Sequence, residues 1–154
     1  MASLLQSTRM TSEINELMTQ LNLARSEAIK RGTTVTLCKS ANGKVCTDKA
    51  EWHDGLIIFV DENANHQIDG SENLIYVKPG RQGNVSFRYG GEKELYSYTT
   101  YHPEGYARPN ATFTFCNDRS STQAKAVIIN TVGRPRSSIK DPDNKPLNCS
   151  WVTP

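Results

Sequence analysis

The sequence predicts an α+β fold, with one long N-terminal helix packed on antiparallel β-sheets of about seven strands. Three observations carry that expectation. Apolar residues recur at alternating steps of four and three through residues 8–32, the period of a helix with one buried face. After residue 32 the apolar positions fall in short β-branched or aromatic runs. Clusters of glycine, asparagine, aspartate or proline separate most of these runs, and that is turn chemistry.

The helix reads through "TRMTSEINELMTQLNLARSEAIKRG", where Met10, Ile14, Leu17, Leu21, Ala24 and Ala28 form a single stripe. Thr11 or Ser12 could cap an internal start, but the stripe extends back toward Leu4 and Leu5. Lys30 and Arg31 suit the negative end of the helix dipole, and Gly32 supplies the stop. Strands are expected at 33–38, 55–60, 73–77, 84–89, 94–101, 111–116 and 125–132, with a polar loop at "DPDNKP". A chain of 154 residues fits one domain, here a helix at 1–32 and a β-rich head at 33–154.

The four cysteines lack the paired C-x-x-C spacing of a zinc site, so disulfides are the better reading. Of the three possible pairings, Cys38–Cys46 with Cys116–Cys149 is favoured. The first staples the short turn "KSANGKV", and the second ties the last residues back to a strand. The longer link closes about 33 residues and contributes roughly 3–4 kcal/mol in the chain-entropy model. Disulfides imply an oxidising compartment, yet "MASLLQSTRM" has no apolar stretch of signal or spanning length.

Net charge is only +2, but the signs are segregated. Every charged residue from Glu51 to Glu72 is acidic, and every one from Arg119 to Lys140 is basic. Catalysis finds no foothold: His53, His66 and His102 are isolated, and no H-E-x-x-H, G-x-S-x-G or phosphate loop occurs. No enzyme activity and no cofactor are expected. Asp61, Asn63, Asn65, Gln67, Asp69 and Glu72 fall on the ligand positions of a calcium loop, with Ile68 suitably placed. His66 replaces the glycine that the calcium loop's sharp turn needs, so an Asx-rich hairpin tip without metal is the preferred reading.

Tyr96 and Tyr98 alternate on one strand, with Tyr101 and Tyr106 beyond. They read as a half-buried sheet face, with stacking on unpaired bases the competing use. The stretch "NTVGRPRSS" is different in kind. Gly133 lets the chain turn, and Pro135 pushes Arg134 toward extended geometry. In an extended segment Arg134 and Arg136 point the same way, about 6.6 Å apart. Two guanidinium forks so spaced suit neighbouring phosphates, and Ser137, Ser138 and Lys140 add donors. From these residues alone, a solvated loop and a polyanion clamp both remain open.

The helix end "LNLARSEAIKRG" running into "TTVTLC", followed by "WHDGLIIFVDENAN", resembles the GspH/FimT family of minor pilins and pseudopilins. The resemblance spans nearly the whole chain and includes a late "GR" after a strand and a C-terminal cysteine. It implies a truncated type IV pilin-like fold. "GRPR" at 133–136 matches the G-R-x-R signature of the FimT-type members, which bind DNA in natural transformation. That role would pass to Arg134 and Arg136, and then to Lys140. The partners implied are DNA, through its phosphates, and other major and minor pilins. The resemblance also implies a leader and an apolar helix that spans the inner membrane before assembly into a cell-surface pilus. Neither is in this sequence, so Met1–Leu5 reads as the seam where that helix was cut. The rival reading is a structural minor pilin or pseudopilin that initiates or caps the pilus without touching DNA.

Overall fold

The stripe of small and apolar side chains at one helix face demands a sheet to lie on, and the chain supplies two. A computed structural model describes residues 2–68, 73–80, 84–91, 94–117 and 120–151. Helix α1 (Ala2–Arg31) opens the chain, and nine strands follow among the described residues. They are β1 (Val35–Lys39), β2 (Gly55–Val60), β3 (Leu74–Pro79), β4 (Val85–Tyr89) and β5 (Tyr98–Tyr101). Then come β6 (Ala107–Arg108), β7 (Thr112–Asn117), β8 (Ser120–Ile129) and β9 (Pro135–Ser138). One sheet has the order β3-β2-β1-β5-β6 and the other β4-β7-β8-β9, and every strand pair is antiparallel.

The helix crosses both sheets, touching β1 and β5 of the first and β4, β7, β8 and β9 of the second. All six residues of its stripe are buried, from Met10 at 3% exposure to Ala28 at 0%. Sealing Met10, Ile14, Leu17 and Leu21 contributes about 1.5–3 kcal/mol each. The small side chains Ala24 and Ala28 mark where the backbone of the helix comes nearest the sheets. Gly32, at φ 67°, turns the chain out of the helix, with its N–H on the Ala28 carbonyl at 3.0 Å. Among the described residues no helix is long and apolar enough to cross a membrane.

Between the sheets, Trp52 on a single 3-10 turn packs edge-on against Tyr89 and Phe113, at 5.9 and 5.1 Å between centroids. Its indole N–H donates to the Tyr96 carbonyl at 3.0 Å. Lys78 on β3 reaches back to Glu13 and Glu16 of the helix at 3.3 and 3.4 Å. Cys38 is bonded to Cys46 and Cys116 to Cys149. The second bond pins the C-terminal segment to β7, and Arg88 on β4 lies over the Trp151 ring at 4.6 Å.

Several boundaries differ from the expectation of about seven strands. The expected strand at 94–101 is ordered as a strand only from Tyr98, because Leu95 bridges back to Gly90 in a separate tight hairpin. The expected strand at 125–132 begins earlier, at Ser120, and stops at Ile129. Two edge strands, β6 and β9, were not anticipated. Each pairs on one side only, and proline at the start of β9 is of the kind tolerated at a sheet edge.

The second disulfide yields a direct test. Replacing Cys116 and Cys149 together with serine should lower stability by about 3–4 kcal/mol, read as a drop in the urea midpoint. The segment after Pro142 should then lose amide-exchange protection, while β1 and β2 keep theirs.

Candidate functional site

Asn130 ends β8 by drawing the backbone onto its own side chain. Its Oδ1 accepts the N–H of Val132 at 3.1 Å and of Arg134 at 2.9 Å. The Gly133 N–H meets the Asn130 carbonyl at 3.0 Å, and the Asn130 N–H meets the Arg134 carbonyl, also at 3.0 Å. "NTVGR" is therefore a closed hairpin turn leading into β9, not an open loop.

The turn is locked to the rest of the molecule at Gly133, which is buried with φ 92°. A Cβ there would lie 1.9 Å from the Gly105 carbonyl oxygen, so only glycine admits this approach. Gly105 sits at the tip of the β5–β6 hairpin, which makes this the place where the edges of the two sheets meet. Tyr101 donates its hydroxyl to the Gly133 carbonyl at 2.7 Å from inside the core. Arg25 of the helix shares its Nε–H between the carbonyls of Gly105 at 3.0 Å and Val132 at 3.3 Å. The helix and the β5–β6 hairpin thus brace one short turn.

On that support Arg134 and Arg136 are both exposed. Arg136 pairs with Ile128, and Pro135 with Ile129, so alternation puts Arg136 on the sheet face turned away from the helix. Among the described residues neither arginine has an acidic partner within ion-pair distance. Ser137 and Lys140 are exposed as well. Ser138 is already engaged: its hydroxyl donates to the Lys140 carbonyl at 2.7 Å and accepts the Lys140 N–H at 3.0 Å. It shapes the chain under Lys140. Arg25, Tyr101 and Gly105 carry no signal in the sequence for this role, because each acts through a contact across the fold, whereas Asn130 acts on its own turn two and four residues on.

The acidic hairpin is organised for its own backbone. Asp61 has a fully buried carboxylate that accepts the Thr36 hydroxyl at 2.7 Å and the N–H groups of Asn65 and His66 at 3.2 and 3.1 Å. Asn65 Oδ1 accepts the Gln67 N–H at 3.0 Å. Asp69 and Glu72 of the calcium-loop set lie outside the described residues, as does Arg119 of the basic run. Among the described residues no group of three or more His, Cys, Asp or Glu side chains is gathered as metal ligands would be. Of the tyrosines, Tyr101 is wholly in the core, while Tyr96, Tyr98 and Tyr106 are half-buried.

Comparison with known proteins agrees with this architecture. The model of the family described as type II transport protein GspH matches residues 13–133. By structure the chain is similar to the type IV minor pilin FimU of Pseudomonas aeruginosa PAO1 in two crystal forms. The P21 form gives a TM-score of 0.68 at 20% identity, covering 93% of this chain and 96% of that one. The P65 form gives 0.65 at 21% identity, covering 90% and 98%. No curated protein matches the chain by sequence.

Two outcomes test the brace. Gly133→Ala should destabilise the fold by about 2 kcal/mol or more, because both the close approach and the positive φ penalise a side chain. Burial pushes the Tyr89 phenol up to about 12 and the Tyr101 phenol up as well. Unfolded phenols ionise near pH 10, so the stability these rings contribute is whole below that pH and falls as pH rises toward 12. The expected slope is about 1.4 kcal/mol per pH unit per ring, and Tyr101→Phe should remove one ring's share.

Proposed function

Because this chain belongs to the GspH family, we propose that it is a minor pilin of the FimT type that binds DNA through the Arg134–Arg136 turn. The observation that carries the proposal is a pair of exposed guanidinium groups, free of acidic partners among the described residues, on a turn braced by the helix and the β5–β6 hairpin. The forks suit the non-bridging oxygens of adjacent phosphates, and Lys140 lies further along the same segment, whereas Ser137, paired with the core residue Val127, alternates to the other face. Contacts of this kind position a strand without reading bases, so binding is indifferent to sequence. The role is one of binding and needs no cofactor.

In this reading the pilin head is held at the periplasmic face of the inner membrane before assembly, then at the cell surface in a type IV pilus among other pilins. DNA caught there is drawn toward the uptake machinery in natural transformation. A second reading is favoured by the likeness to FimU over 93% of the chain. It makes the protein a structural minor pilin or pseudopilin that initiates or caps the pilus, with the turn serving assembly.

Gel shift on duplex DNA separates the two. Arg134→Ala and Arg136→Ala should each weaken binding several-fold, and the double variant should nearly abolish it with an unchanged melting temperature. Arg136→Lys should restore only part of the affinity, because a point charge lacks the fork. Wild-type protein that leaves duplex DNA unshifted, or a folded double variant that binds as wild type does, favours the assembly reading.

A further inference from the structure

Beside the arginine turn, the β5–β6 hairpin carries a stack of planar groups on its outer face. The hairpin is rigid: the His102 N–H meets the Tyr106 carbonyl at 2.9 Å, and the Gly105 N–H meets the His102 carbonyl at 2.8 Å. Tyr101 and Ala107, paired across it, both lie in the core. Alternation therefore turns His102, Tyr106 and Arg108 to the opposite, outer face. There the His102 ring lies parallel to the Tyr106 ring, with centroids 4.5 Å apart and planes 10° apart. The Arg108 guanidinium lies over the same tyrosine, 4.8 Å from its centroid.

Arg108 does little for the hairpin itself. It is exposed, and its described hydrogen bond goes to the neighbouring Ala107 carbonyl at 3.2 Å. Among the described residues no acidic side chain lies within ion-pair distance of it. The stack begins one residue from Gly105, whose carbonyl touches Gly133 and takes the Arg25 Nε–H. Arg134 and Tyr106 are thus the chain neighbours of the two glycines in contact, Gly133 and Gly105. The hairpin's own acid, Glu104, is exposed at the tip and opposes a DNA path between them.

We propose that His102, Tyr106 and Arg108 form a stacking platform for an unpaired base, so that single-stranded DNA gains a contact that duplex DNA lacks. The proposal rests on the phosphate-binding reading of Arg134 and Arg136. Arginine layered on an aromatic ring presents a flat, weakly hydrated cationic plane, a surface on which bases stack. Bases inside a duplex have both faces covered by their neighbours and cannot use it. Stacking is tolerant of base identity, so the platform adds strand-type preference without sequence preference.

The test uses single-stranded and duplex oligonucleotides of equal length, the single strand carrying 2-aminopurine. Wild-type protein should change the 2-aminopurine fluorescence on binding. Arg108→Ala and Tyr106→Leu should weaken single-strand binding by about tenfold. Duplex binding should change no more than about twofold in Tyr106→Leu, and Tyr106→Phe should behave as wild type. Melting temperatures identify any variant that fails to fold, and Arg108→Gln, which removes the charge with little loss of bulk, then replaces it. Equal losses on both DNA forms make Arg108 a phosphate contact and overturn the platform while leaving the arginine turn standing. No loss on either form overturns the platform in the same way. Wild-type protein that binds neither DNA form overturns the platform together with the reading it rests on.

Discussion

The contact between Gly133 and Gly105 is the constraint on which the functional surface depends. Two sheet edges, β6 and β9, end in turns whose backbones approach too closely for any side chain at Gly133. Arg25 and Tyr101 secure the joint from the helix and from the core, through three backbone carbonyls that would otherwise lack these partners. The Gly133 carbonyl is the buried one, and leaving such a group without its donor costs about 1–3 kcal/mol, so the Tyr101 bond holds position more than it adds attraction. The consequence is geometric. The turn that carries Arg134 and the hairpin that carries His102, Tyr106 and Arg108 are joined at this contact.

Much of this was legible in the sequence, for identifiable reasons. The spacing of Met10, Ile14, Leu17, Leu21, Ala24 and Ala28 states the buried face of the helix directly, since a 3.6-residue apolar period lines up one side of a helix and no face of a strand. The strands at 55–60 and 111–116 were equally plain, because their apolar runs are bounded by turn residues. The bridge Gly90–Leu95 hid the true start of β5, since "ELYSYTTY" alternates well enough to pass for one strand. The two-residue β6 and the proline-led β9 carry almost no strand signal of their own and exist because neighbours pair with them.

The site was legible only in its arginines. Permanent charge without a sequence-local counter-ion is visible in any chain, and "GRPR" shows it. What ties the turn to the rest of the molecule is not visible, because Tyr101 and Arg25 are ordinary residues until the fold brings them to it, whereas the Asn130 bonds are local turn chemistry. Glycine at 133 suggested a turn, whereas its stronger role is to admit the Gly105 carbonyl. Ser138 illustrates the converse: a donor that looked available is committed to the backbone of Lys140. If the proposed clamp reaches only a few phosphates, binding by a single head would be weak. Several copies along one fibre would then gain strength by raising the effective concentration of the next contact.

The central claim is that Arg134 and Arg136 act as phosphate contacts, and counter-ion release measures that directly. The dependence of log K on log salt for duplex DNA should have a slope near −3 for the wild-type protein, at about −0.9 for each of three or four phosphates. The folded Arg134→Ala/Arg136→Ala variant should show a slope flatter by about 2. A variant slope equal to that of the wild type would mean that the arginines do not touch phosphate, and would contradict the account.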